Sequence, residues 1–514
     1  MNKYFFAAEA DKIQDLLFRS SKLREVAGGS VLLEVFCKEA VRELIKKYKE
    51  EMDTVEITPV ISGGGSFRII FDSKEAAEEF GEYLSELYRI ELGGTITVAE
   101  PVEVENEMDA IDKAQEKLRK AKHSGKSPTS VEQIPYMAIC ASCGVGIAKY
   151  HKNLHKDERE NYICEICYKK SVARNSIKEM FLLEFSKLVS ESSNQEVEFP
   201  NDTKEVTKLD LKNNYVAYIV ADINNMGMVF SSCNNFEQLE KLSDNLDHVI
   251  KESLAEPTKI LMEKQMKDTS SLIPVLPLIL GGDDIFVLIP ARWALDFTQQ
   301  FVKEFENRMN EFLKNMAIEG ATFNHKKDKI TISAAVVLCK SKFPYSIAHE
   351  IGEEQLIKAK KRAKENDEST ISFRLISGNE LVKQPEDGSL FSTDFPAYTI
   401  EELKSIIEFR LKLNNLPGTV RFKLKGLFTD INKYDSFSES RDSFISKKNN
   451  ILKRLDRGHL REILEQAFSE LGGPEKGDIL IFIDDAYYHR LSDLLSVWDY
   501  AYDIDKDLNE YLGE

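Results

Sequence analysis

Residues 276–289 place Gly281-Gly282-Asp283-Asp284 between two apolar runs, Leu276-Pro-Leu-Ile-Leu280 and Ile285-Phe-Val-Leu-Ile289. Two buried strands joined by a short turn are expected, a β-hairpin with two carboxylates at its tip. Gly281 and Gly282 lack a Cβ, so a phosphate or a metal ion can come close to the backbone there. Asp283 and Asp284 offer the hard oxygen ligands that Mg²⁺ or Mn²⁺ takes, usually with substrate phosphates completing the shell. A merely solvated acidic turn reads the same way, so the assignment turns on what else the chain supplies.

It supplies a third acid. The run Tyr215-Val-Ala-Tyr-Ile-Val-Ala221 is an apolar strand that ends in Asp222, followed by Ile-Asn224-Asn225-Met-Gly227. A strand-end cap would use such an acid, but so would a two-metal nucleotidyl-transfer site, which draws carboxylates from neighbouring strands to clamp the attacking and leaving oxygens. If this strand lies beside the hairpin, Asp222 faces Asp283 and Asp284. Further on, Lys360 and Lys364 are four apart on an expected helix and share one face. That face either meets solvent or holds a triphosphate tail.

A different chemistry is written in Cys140-Ala-Ser-Cys143 and Cys164-Glu-Ile-Cys167. Two C-x-x-C knuckles of this kind converge on a tetrahedral thiolate site for Zn²⁺. Four thiolates close the shell, so the zinc is structural and rigidifies an insert of roughly 50 residues that is too small to build its own core. His151 and His155, between the pairs, are then surface residues.

These groups must be positioned by the rest of a 514-residue chain of formal net charge -18. That length accommodates three or four domains at roughly 100–200 residues each. The acidic balance argues against broad electrostatic binding of nucleic acid, although Arg441–Arg461 concentrates lysine and arginine, as a solvated helix face or as a contact for a partner or RNA. No apolar run approaches the roughly 18 residues of a membrane span, and Glu9 and Asp11 interrupt any secretory signal; a cytoplasmic protein with no membrane partner is expected.

Residues 1–110 alternate strand and helix: strand from 3, helix 29–51, strands 55–62 and 66–71 around Gly63-Gly64-Gly65, helix 73–88, strand 94–104. The order recurs from 215: strand 215–221, helix 236–267, the acidic hairpin, helix 291–316, strand 329–339, helix 346–365, strand 370–376. A split β-α-β pattern used twice predicts an α+β protein with two ferredoxin-like domains related by internal duplication. The first copy has Gly64-Gly65-Ser66 at its tip and no acid there. The expected domains are 1–135, 136–214 with the cysteines, 215–385, and a mainly helical 386–514. In the last, Asp484-Asp485 also end an apolar strand, without companions, and a structural role is expected.

Taken together, Glu9-Ala-Asp-Lys-Ile-Gln14 with Ser21-Lys-Leu-Arg-Glu-Val-Ala-Gly-Gly-Ser30, the four cysteines, Ala221-Asp222-Ile-Asn-Asn-Met-Gly227 with Gly281-Gly282-Asp283-Asp284, and Phe343-Pro-Tyr-Ser-Ile-Ala-His349 before the lysine-rich helix resemble the large polymerase-cyclase subunit of type III CRISPR effector complexes, the Csm/Cmr family. The resemblance covers about residues 1–385. It implies two palm domains, a zinc-bearing connector and a helical C-terminal domain. It implies a second palm that turns ATP into cyclic oligoadenylates, in a complex with backbone and small subunits, guide RNA and target RNA. It places catalytic metal ligands on Asp222, Asp283 and Asp284, and nucleotide contacts on Gly281, Gly282, Asn224, Asn225, Lys360 and Lys364, with Gly64 and Gly65 of the first palm facing a second nucleotide.

Two departures stand out. The family often has a second acid where this chain has Asn224, and relatives that begin with a nuclease domain carry a His-Asp motif, whereas no His-Asp dipeptide occurs here; DNA cleavage is not expected. The competing readings are a scaffold subunit with an inactive palm and a free-standing cyclase of diguanylate or defence type.

Overall fold

The computed structural model describes the chain except residues 1, 21, 52–55, 124–136, 154–158, 177–180, 191–196, 211–213, 266–271, 283, 317–328, 378–395, 431–436, 456–457, 473–480, 484–485, 507–509 and 512–514. Asp283, His155, Asp484 and Asp485 lie outside the described residues.

The first sheet is built from β1 (Tyr4–Asp11), β2 (Ile57–Gly63), β3 (Ser66–Phe71), β4 (Thr95–Val98) and β5 (Val102–Glu103). Its order is β2-β3-β1-β4, all antiparallel, with β5 also on β1. The sequence predicts one strand over 94–104; the structure breaks it between β4 and β5, where Pro101 lacks the N–H a ladder needs. The helix predicted at 29–51 runs over Leu23–Val35 and Val41–Glu51, with a π-helical turn, Phe36–Ala40, between.

After the short β6 (Tyr150–Lys152) and β7 (Asn161–Ile163), which pair beside the cysteines, the second sheet contains β8 (Tyr215–Ile223), β9 (Leu276–Gly281), β10 (Asp284–Pro290), β11 (Ile332–Lys340), β12 (Thr370–Leu375) and β13 (Tyr398–Thr399). Its order is β13-β12-β11-β8-β10-β9. The four strands β9-β10-β8-β11 repeat the order β2-β3-β1-β4, so the duplication read from the sequence is a duplication of topology.

β8 and β10 are buried almost throughout, as near-continuous apolar strands covered on both faces should be. On one face Ala217, Ile219, Ala221, Val287 and Val336 pack with the helices Phe236–Gln265 and Ala294–Met316. On the other, Val216, Tyr218, Val220, Phe286 and Val337 meet the helix Tyr345–Asn366 and, from the first domain, Leu17, Val26 and Ala27. The helix and sheet are so close that a Cβ on Gly352 would lie 2.5 Å from Val220 Cγ2.

A helix the sequence reading did not anticipate, Glu107–His123, covers the first sheet at the point in the chain where Tyr345–Asn366 covers the second. Ala110, Ile111, Ala114 and Leu118 form its buried face, a helical spacing thinned by the charges between them. The C-terminal region is mainly helical, with helices Ile400–Lys412, Gly418–Asp430, Phe437–Lys453, Gly458–Glu470 and Arg490–Ser496. Within it β14 (Ile481–Ile483) pairs with β15 (Ala486–Tyr488) as a two-stranded sheet separate from both larger ones. No described helix is long and apolar enough to cross a membrane.

Candidate active site and zinc centre

Asp222 and Asp284 are cross-strand partners on β8 and β10. Paired residues of an antiparallel ladder point to one face with Cβ atoms about 4.5–5.5 Å apart, and like charges so placed repel. The arrangement therefore calls for a cation, and the helix Tyr345–Asn366 delivers one: Lys360 Nζ lies 2.8 Å from Asp222 Oδ2. Lys364, one turn on, is exposed. The Lys360 side chain is 41% exposed, so its ammonium is not captive.

Gly281 pairs with Asp284 across the turn, and Gly282 has φ 65, the left-handed region where glycine costs nothing. The first domain's tip presses on this turn. A Cβ on Gly64 would sit 2.7 Å from Gly282 N and 3.2 Å from the Gly281 carbonyl carbon, so the two glycine turns touch backbone to backbone. Gly65 packs instead on Ile13 and Ala10.

Asn224 is spoken for. Its Nδ2 donates to Thr331 Oγ1 at 3.0 Å, Ser333 Oγ donates to its Oδ1 at 3.0 Å, and its backbone N–H donates to the Thr331 carbonyl at 2.9 Å. This amide ties β8 to β11 rather than standing open. Asn225 adopts φ 61 and starts the short helix Met226–Ser231.

Three neighbours were not singled out from the sequence. Gln14 Nε2 donates to Asp284 Oδ2 at 3.4 Å. His349 lies in a ring cluster with Phe18, centroids 4.4 Å apart, and Phe286, 4.8 Å apart, and burial lowers its pKa to about 4, leaving it neutral. Glu353 stands 3.5 Å from His349 Nε2; burial raises its pKa, Lys360 opposes and Asp222 adds to the rise. Gln14, Asp284, Phe286 and His349 gather around one shallow indentation at the end of β10. Helical spacing was the available signal for His349 and Glu353, which lie four apart, with Glu353 seven before Lys360.

The first sheet repeats this site residue by residue. Glu9 pairs with Ser66 and Thr97, as Asp222 pairs with Asp284 and Ser333. Asp11 accepts from Thr95 Oγ1 at 3.2 Å and Thr97 Oγ1 at 2.8 Å, the place of Asn224 between Thr331 and Ser333. Lys122, from the helix Glu107–His123, reaches Glu9 Oε2 at 2.5 Å, as Lys360 reaches Asp222. In addition Arg68 Nη2 donates to Glu9 Oε1 at 2.7 Å. Burial would raise the Glu9 pKa, but Arg68 and Lys122 overcome it and hold the carboxyl below its usual range. Arg68 and Lys122 thus balance the Glu9 charge, and Ser66 stands where the second sheet has Asp284. The signal was in the sequence: Ala8-Glu9-Ala10-Asp11 parallels Ala221-Asp222-Ile223-Asn224.

The cysteines converge. The sulfurs of Cys140, Cys143, Cys164 and Cys167 all lie within 4.8 Å of one another, with Cys143 and Cys164 at 3.8 Å. A regular tetrahedron with Zn–S of about 2.3 Å puts its sulfurs about 3.8 Å apart, so the donor set fits Zn²⁺. Hydrogen bonds from Cys140, Cys164 and Cys167 push the Cys143 thiol pKa down, and the Gly146 N–H donates to its sulfur at 3.3 Å, both in favour of thiolate. His151 is exposed, stacked on Tyr162 and 3.5 Å from Glu160, outside the cluster. One equivalent of zinc per chain is expected, and Cys140→Ser should lose it, as read by elemental analysis; a parent protein without metal would refute the site.

Residues 215–369 match the family model described as Cas10/Cmr2, second palm domain. By this match the segment is similar to a second palm domain of that family. No curated protein matches the chain. Among solved structures, a Csm1-Csm4 cassette in complex with cA4 is 14% identical with a TM-score of 0.52, over 88% of this chain and 65% of that one. A Csm1-Csm4 cassette in complex with pppApA is 14% identical with a TM-score of 0.55, over 98% and 69%. Csm1 in T.onnurineus is 15% identical with a TM-score of 0.52, over 97% and 69%. The chain thus spans 65–69% of these three relatives' length. At this identity the likeness is one of fold. With the second-palm match it agrees with the family resemblance read from the sequence.

Proposed function

We propose that this chain is the large subunit of a type III CRISPR effector complex and that its second palm joins ATP into cyclic oligoadenylates. The observation that carries the reading is the opposed pair Asp222 and Asp284 beside the Gly281-Gly282 turn, with Lys360 on Asp222. Asp222, Asp284 and its sequence neighbour Asp283 would hold Mg²⁺ or Mn²⁺, which when bound supplies charge neutralisation on the phosphates and acidifies the attacking ribose hydroxyl.

The chain's own groups do the rest. Gly281 and Gly282 carry no side chain that would obstruct a triphosphate approaching the turn. Lys360, and Lys364 one turn on, supply positive charge to the phosphates as the acids take up the metal. Gln14 orients the Asp284 carboxylate, and Asn224, bound to Thr331 and Ser333, fixes the end of β8 and so the height of Asp222. The first palm carries Gly64 to the Gly281-Gly282 turn and, with Glu9 neutralised by Arg68 and Lys122, would hold a second nucleotide near Gly64 and Gly65 without transferring it.

The domains would then be the first palm at 1–135, the zinc connector at 136–214, the second palm at 215–385 and the helical domain at 386–514. The partners are backbone and small subunits, guide RNA and target RNA, in the cytoplasm. The test is incubation with ATP and Mg²⁺ or Mn²⁺, with and without guide complex and target RNA, and product identification by mass spectrometry. Cyclic or linear oligoadenylates are expected. Their absence under every condition, with co-purifying subunits and RNA, would leave a scaffold.

A further inference from the structure

The zinc module touches more than its own insert. Between β1 and the helix Leu23–Val35 the chain makes a short helix, Ile13–Phe18, which borders Asp284 and so forms a wall of the nucleotide site proposed above. It is entered through Lys12 at φ 47, a left-handed conformation that a non-glycine residue holds only when its surroundings impose it. Gln14 on this helix reaches Asp284, and Phe18 packs on Phe286, His349 and Tyr345, with ring centroids at 5.3, 4.4 and 6.0 Å. What holds such a short helix in place is not its own hydrogen bonding, since six residues are below the length at which a helix is stable alone.

One half of the zinc site bonds to this helix and the other to the residues just beyond it. Ser142, inside the first knuckle, donates its hydroxyl to Glu25 Oε2, and Ser20 donates to the same oxygen; the two hydroxyl oxygens are 3.2 Å apart. Glu25 is fully buried, and its Oε1 has no hydrogen-bond partner among the described residues. Lys170, three residues past Cys167 and 3% exposed, donates Nζ to the Leu16 carbonyl at 2.6 Å. A buried carboxylate is costly unless it is hydrogen-bonded, so these bonds are strong and directional. They clamp the end of the cleft wall from one side while Phe286 and His349 hold it from the other.

We infer that Glu25, gripped by Ser142 of the first zinc knuckle, is a positioning residue for the nucleotide cleft, so that the zinc module sets the place of Gln14 and Phe18. Its consequence for ATP rests on the function proposed above; its consequence for the wall does not. The experiment is hydrogen exchange on the full chain for the parent, Ser142→Ala and Ser142→Thr, with zinc content and the KM for ATP measured on the same preparations. Ser142→Ala keeps all four cysteines and should keep its zinc. Its amides in residues 13–20 should exchange about tenfold faster, the order expected when a hydrogen bond to a buried charge is lost. The KM for ATP should rise by about the same factor with a smaller change in kcat, because the wall contacts bound nucleotide. Ser142→Thr, which retains the hydroxyl, should restore both. Stripping zinc from the parent should reproduce the faster exchange. Unchanged exchange at 13–20 in Ser142→Ala, or faster exchange to the same degree across Ala294–Met316, would overturn the inference. Local loosening in a protein that makes no oligoadenylate would uphold the grip and remove the cyclase reading instead.

Discussion

Asp284→Asn and Asp222→Asn are each expected to lower oligoadenylate formation by about 10²–10³-fold, the range seen when one preorganised electrostatic group is removed from a transition state. The two residues oppose each other across β10 and β8, so each shares its partner's field, and the double variant should fall less than the product of the single losses. The fold should survive. Asparagine is nearly isosteric, and relief of the carboxylate repulsion across the ladder should leave the melting temperature unchanged or slightly higher. That combination, stability kept and turnover lost, distinguishes a cation site from a structural acid. Lys360→Met provides the control on the same geometry: it removes the ammonium at 2.8 Å from Asp222 and should raise the KM for ATP more than it lowers kcat, if its charge serves the phosphates. Full turnover in the Asp222 and Asp284 variants, measured by mass spectrometry of the products, would end the assignment.

Much of this arrangement was legible in the residues, for a reason that can be stated. The strands around the site are long, apolar and buried on both sides, so β8, β10 and β11 fall within a few residues of the expected segments. The acids sit where those runs end, and polar punctuation of an apolar strand is easy to see. Strand order followed from the repeat of the element sequence. What was hidden depends on register and on short or charged segments. The equivalence of Glu9 with Asp222 appears only once Glu9 is paired with Ser66 and Asp222 with Asp284. The helix Glu107–His123 carries few apolar residues among many charges, so its role as the first palm's counterpart to Tyr345–Asn366 had no strong pattern behind it. Asn224 read as a nucleotide contact standing where the family often has an acid; its bonds to Thr331 and Ser333 appear only with the strands in register. Likewise nothing in Cys140-Ala-Ser-Cys143 marks the serine, whose partner Glu25 lies 117 residues away in sequence.

Gly64→Ala should be the most damaging change outside the acids themselves. Gly64 has φ 57, so an L side chain there costs roughly 1–2 kcal/mol in the backbone alone. Its Cβ would also stand 2.7 Å from Gly282 N, closer than any side chain tolerates, and both atoms belong to tight turns with little slack. Neither turn can yield by a rotamer change, because the contact is backbone on backbone; one must move. Gly282 is bracketed by Gly281, which pairs with Asp284, so displacement of the turn is displacement of the acid. A shift on the order of 1 Å at a reacting centre costs about 10²-fold in rate, and that is the loss expected here. The second sheet itself should be untouched, since its core lies along Val216, Tyr218, Phe286 and Val337, away from the tip. Gly63→Ala is the matched control. A Cβ there meets nothing within 4 Å, and it should retain near-normal turnover. Equal activity of the two variants would mean that the palms are free to separate at their glycine tips during the reaction, and the first palm would then act as a cover rather than as part of the site's geometry.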